Sequence, residues 1–241
     1  MVKAVHGLRE IEPDPPFETE LAQYLRAHHT PDALLDLYSR FTLGGGAFDA
    51  MMRRIIWRAL TKRFGQGVQI STAVTFKHPE TFEIGSGVSI GEQTCIHGRF
   101  DGHCVIGDGT WIGPQSYFDA RALVIEDHVG WGPGAKVLGS AHTGLPIDVP
   151  IIQTDLAIRP VHVEAWADIG VNAVLLPGIT IGRASIVGAG AVVTTDVPPF
   201  AVVAGVPARF LRWREQHEVV RDAEPAPAEA GSQQPPLSEP P

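Results

Sequence analysis

His142 stands in the run Gly139-Ser140-Ala141-His142-Thr143-Gly144, an imidazole among small residues at the start of a stretch stiffened by Pro146, Pro150 and Pro160. Imidazole titrates near neutrality. A histidine on a rigid base beside open space can therefore strip a proton from a hydroxyl or an amine. The chain holds ten histidines, and position alone does not separate this one from a solvated loop residue. His97, His103 and His128 would make a metal site only if three of them converged, as zinc requires. Cys95 and Cys104 match no zinc or redox spacing and read as small buried residues in a reducing compartment.

The elements that must position His142 show in a period of six. Ile169, Leu175, Ile181, Val187 and Val193 recur every six residues. The fifth place of each hexad (Ala173, Ile179, Ser185, Ala191, Val197) is small or β-branched. That period fits neither a helix face nor plain strand alternation. It suits a chain that runs extended, turns a corner and starts again, so that three runs make one triangular coil. Coils stack about 4.8 Å apart, each anchor above its equivalent, and become stable through their neighbours. Earlier registers are Ile125, Trp131 and Val137; Ile106, Ile112 and Phe118; and Ile84, Ile90 and Ile96. Where the spacing breaks, a loop or bulge must leave the coil. The longest break, residues 138–162, carries His142.

One repeat domain with appendages accounts for the length of 241 residues. Residues 1–16, ending in Pro13, Pro15 and Pro16, read as a mobile arm. Residues 17–65 read as a helical cap: two short helices split at Thr30-Pro31, then a longer one from about 48 to 64. That third helix is amphipathic and basic. It either covers the open end of the coil, the reading the sequence favours, or lies on a membrane surface. Residues 66–205 form the coil, 206–222 a short terminal helix, and 223–241 a tail too polar for any core. The net charge of −8 argues against a nucleic-acid surface. With no apolar run long enough to span a bilayer and an N-terminus too polar for a signal peptide, the expected location is cytoplasmic.

The histidine at the start of a loop, the run Ala165-Trp166-Ala167-Asp168-Ile169-Gly170-Val171-Asn172-Ala173-Val174-Leu175-Leu176-Pro177-Gly178, and Val203-Ala204-Gly205-Val206-Pro207-Ala208-Arg209 resemble the hexapeptide-repeat acyltransferases. The likeness is nearest to the galactoside, maltose and polysaccharide O-acetyltransferases. It implies an all-β fold, a left-handed parallel β-helix with an N-terminal helical cap and a short C-terminal helix. It also implies a homotrimer binding acetyl-CoA between subunits, a sugar or glycoconjugate as acceptor, and no metal. His142 matches the family's catalytic base, and Asp119 a position that reaches the acceptor. Gly170, Ala189 and Thr194 match positions that line the pantetheine arm. Trp166 and Thr195, beside or at places where the pattern departs, are further cofactor candidates, and the cations Arg209 and Arg212 suit coenzyme A phosphates. Two places depart from the pattern: Asp168 stands where tryptophan is usual, and Thr195 where lysine is.

Three other readings remain at this stage. One is N-acetylation of an amino-sugar nucleotide. Another is a metal hydratase similar to the γ-type carbonic anhydrases, built on His97, His103 and His128. The last is a non-catalytic β-helix serving assembly.

Overall fold

A computed structural model describes residues 6–214. Three parallel sheets form the walls of a prism. The first face runs through Phe82–Ile84, His103–Ile106, Ala122–Ile125, Val161–Val163 and Thr180–Ile181. The second runs through Ser89–Ile90, Trp111–Ile112, Gly130–Trp131, Asp168–Ile169 and Ile186–Val187. The third runs through Cys95–His97, Tyr117–Asp119, Lys136–Val137, Val174–Leu175 and Val192–Val193.

The hexad anchors pair with their own equivalents. Ile84, Ile106, Ile125, Val163 and Ile181 form one column. Ile90, Ile112, Trp131, Ile169 and Val187 form another. All are buried. Trp131 and Phe118, the bulkiest anchors, pack against each other with ring centroids 4.8 Å apart. The glycines after the anchors make the stacking possible. At Gly170 a Cβ would lie 2.5 Å from the Ala189 amide nitrogen of the next coil.

The breaks in the period fall at one edge. Residues 98–102, 120–121 and 138–160 all lie between the third face and the first. The longest excursion forms an antiparallel hairpin, Ser140–His142 against Leu156–Ile158.

The cap comprises α1 (Pro16–His28), α2 (Pro31–Ser39) and α3 (Ala47–Leu60). The Thr30 hydroxyl caps α2 by accepting from the Ala33 amide. Ile55, Ile56, Trp57 and Leu60 of α3 are buried against the first coil. Sequence patterning places the arginines of α3 away from this face; Arg53 and Arg58 are in fact buried. Both meet buried polar groups of the first coil and of the segments around the helices, which need partners. Arg53 donates to Ile70, Phe41 and Gly44 carbonyls at 2.9, 2.7 and 2.7 Å. Arg58 pairs with Asp14, and Arg54 with Glu18 at 2.7 Å. Much of the apolar surface of α3 and its Arg53, Arg54 and Arg58 are thus engaged within the chain, while Phe48 is exposed. No helix among the described residues is long and apolar enough to cross a membrane.

Both ends of the chain correct the sequence reading. The arm expected over 1–16 is anchored where it is described: Arg9 donates to the Gly67 and Gly87 carbonyls at 2.8 and 3.0 Å. Asp14 accepts from the Gly67 amide at 3.2 Å. The helix expected over 206–222 is absent from its described part. Arg209–Trp213 is a strand, antiparallel to Ala201–Ala204. It pairs the last edge of the second face, which otherwise leaves a row of donors and acceptors open. Residues 1–5 and 215–241, including the expected tail, lie outside the described residues.

Candidate active site

His142 ends the first strand of the hairpin and is exposed. Its Nδ1 lies 2.9 Å from the Thr154 carbonyl oxygen. A carbonyl can only accept, so this contact is a hydrogen bond only with the proton on Nδ1. The other nitrogen, Nε2, then carries the lone pair that a base needs. Thr154 is itself fixed. It is buried, its hydroxyl donates to the Ile151 carbonyl at 2.7 Å, and the hydroxyl oxygen accepts from the Gly144 amide at 3.2 Å.

Below the hairpin the frame stacks outward-facing side chains on the third face. Cys95 and Tyr117 share one register, and His97 and Asp119 the next. Cys95 Sγ lies 2.9 Å from His97 Nε2. Burial, followed by the nearby Lys77 charge, holds the His97 imidazole below its ordinary pKa, against the pull of Asp119. Burial pushes the Tyr117 phenol up, and the Asp119 charge adds to it. The two cysteines differ. Cys104 is the inert core residue the sequence suggests, its thiol pushed up to about 12 by burial. Cys95 is only half-buried.

Asp119 is buried. Its carboxylate accepts from Arg121 Nε and from the Ser140 hydroxyl, each at 2.7 Å.

The remaining sequence candidates do not converge within one chain. Trp166 lies at the edge between the first and second faces, with the Arg183 guanidinium 3.6 Å over its ring. Gly170 and Ala189 lie at the second–third edge. The contact at Gly170 shows that coil stacking by itself accounts for a glycine there. Thr194 and Thr195 are exposed on the third–first edge that carries His142, two coils further on. Arg209 and Arg212 are exposed on the terminal strand. Asp168, at the position that departs from the pattern, has a carboxyl raised by burial. His97, His103 and His128 are likewise apart, and the described residues contain no group of three potential metal ligands.

Sequence reasoning missed Ser140, Arg121 and Thr154. Arg121 and Ser140 lie just past coil anchors at the edge where the frame breaks, which is a usable signal. Thr154 sits in an aperiodic loop twelve residues from its partner, and no pattern marks it.

No protein-family model matches the chain. A Schizosaccharomyces pombe protein named as an acetyltransferase is 33% identical over 98 residues, 40% of this chain and 46% of that one. The Escherichia coli galactoside O-acetyltransferase is 29% identical over 142 residues, 48% of this chain and 68% of that one. A Staphylococcus aureus tetrahydropyridine-dicarboxylate N-acetyltransferase is 53% identical over 53 residues, 22% of each chain. The chain thus spans less than half the length of the first of these relatives and about a fifth of the third. A hexapeptide-repeat acetyltransferase of Vibrio cholerae with acetyl-CoA bound superposes with a TM-score of 0.54 at 24% identity, over 82% of this chain and 87% of the other. A galactoside acetyltransferase in complex with coenzyme A gives 0.51 at 20% identity, over 83% of each chain.

Anchored coils, an edge hairpin and these matches define the class: the chain has the left-handed β-helix fold of the hexapeptide-repeat acetyltransferases and resembles that family in sequence. Its relatives include both O- and N-acetyltransferases.

Proposed function

We propose that this protein is an acetyl-CoA-dependent O-acetyltransferase acting on a hydroxyl of a sugar or glycoconjugate, with His142 as general base. The observation that carries the reading is the His142–Thr154 contact, which leaves Nε2 free to accept a proton on an exposed, fixed imidazole. In the step proposed, the acceptor oxygen attacks the thioester carbonyl carbon while Nε2 takes its proton. The C–S bond then breaks, the acetyl ester forms, and the imidazolium returns the proton to the departing sulfur. No covalent enzyme intermediate and no metal are needed. The developing oxyanion requires fixed donors, each removal of which typically costs about 3 kcal/mol.

The cofactor candidates are compatible with such a cosubstrate. Ala189 and Thr194 are small and exposed, leaving space for the pantetheine arm, and Arg209 and Arg212 offer exposed cations to phosphates. Their separation along different edges supports a site completed by a neighbouring copy, in a homotrimer.

The amine reading draws on the 53-residue match to an N-acetyltransferase. Incubation with acetyl-CoA and a panel of sugars, amino sugars and nucleotide sugars, with mass spectrometry before and after mild alkali, separates the two. An alkali-labile acetyl group is expected. An alkali-stable product would replace the ester reading with the amide, and no acetylated product from any acceptor would count against the whole assignment.

A further inference from the structure

We propose that Asp119 positions the His142 hairpin through Ser140, and does not bind the acceptor. This inference rests on the role given to His142 above. The Asp119 side chain is only 9% exposed, and both its oxygens are occupied, by Arg121 and by Ser140. Each oxygen has acceptor capacity left, but so little of the side chain reaches the surface that an acceptor hydroxyl has no open approach to it. Ser140 and His142 are alternate residues of one strand, so their side chains lie on the same face of the hairpin. The hairpin also leaves the coil at Gly139, where a Cβ would run into the Asp119 carbonyl oxygen. The coil wall therefore holds the hairpin through the Ser140 hydroxyl, two residues before the imidazole, where the backbone passes close over Asp119. Strands of three residues do not hold their own geometry. The Asp119 clamp, with Arg121 holding its other oxygen, sets where His142 Nε2 points. A displacement of about 1 Å at a reacting group can cost about 10²-fold in rate.

The test uses Ser140→Ala, Ser140→Thr, Asp119→Ala and the double variant. Two readouts are taken: ring ¹⁵N NMR of His142 without ligands, and kcat and KM on the panel sugar that the wild type turns over fastest. Wild type should show the Nδ1–H tautomer. Ser140→Ala and Asp119→Ala should lose that preference and drop kcat about 10-fold, with KM for sugar and acetyl-CoA within about 2-fold. Ser140→Thr should restore both, and the double variant should be no worse than Asp119→Ala because one contact is being removed. An unchanged ring signal in Ser140→Ala, with Asp119→Ala raising only the sugar KM, would make Asp119 an acceptor ligand and end the proposal. Should the wild type turn over no acceptor, the functional reading falls while the NMR arm still decides the clamp. Ser140→Ala, a small change outside the coil core, guards against misfolding in Asp119→Ala.

Discussion

His97 and Asp119 each follow an anchor by one residue, Ile96 and Phe118, and the six-residue frame stacks them as neighbours. The His97 imidazole is held below its ordinary value, chiefly by burial. On acidification the unfolded chain therefore binds this proton first, and the folded state only at lower pH. The contribution to stability is full above about 6.5 and falls as pH drops towards the folded-state value. His97→Gln should make the fall in urea midpoint between pH 7 and 5 shallower; an unchanged slope would show that His97 does not carry it. His142 was legible in the sequence because it opens the longest break in the frame. Its partner was not, because nothing in an aperiodic loop marks the Thr154 carbonyl as the group that meets the imidazole Nδ1. Asp119 was legible as a position, but the two donors that occupy its carboxylate are contacts made across the edge, beyond the reach of spacing.

At the scale of elements, the hexads stated the coil, its edges and its breaks, since period six has few other structural meanings. Gly170→Ala would push a methyl group against the Ala189 amide and should cost about 1–3 kcal/mol, read as a lower urea midpoint; a neutral result would mean the coils can part more easily than their ladder suggests. The ends were misread for a common reason. Prolines near the N-terminus and an arginine-rich run after Pro207 looked locally like an arm and a helix. The exposed carbonyls and strand edges of a finished coil recruited both. Buried Arg53 follows a related logic: an apolar stripe does not reveal that one coil carbonyl, of Ile70, and two carbonyls between α2 and α3, of Phe41 and Gly44, need a donor. Arg53→Met should strand the carbonyls of Ile70, Phe41 and Gly44 and destabilise the cap by about 3 kcal/mol. Thermal unfolding followed by the Trp57 environment would register it, and an unaltered transition would show that water replaces the guanidinium without loss.

At the scale of the whole molecule, a filled prism keeps its chemistry on the outside. The candidate cofactor residues occupy separate edges of one chain, and the proposed reading has a second copy bring a complementary edge to His142. Sedimentation equilibrium should give three times the 25.9 kDa chain mass; a stable monomer that still transfers acetyl groups would contradict the shared site. The central claim is that one imidazole on the edge hairpin does the proton transfer. The most direct measurement is acetyl-CoA turnover by His142→Ala beside the wild type, on the same acceptor and in the same oligomeric state. Loss of a general base should lower kcat by at least about 10²-fold with the fold and acetyl-CoA binding retained. Turnover within a few-fold of wild type would contradict the account.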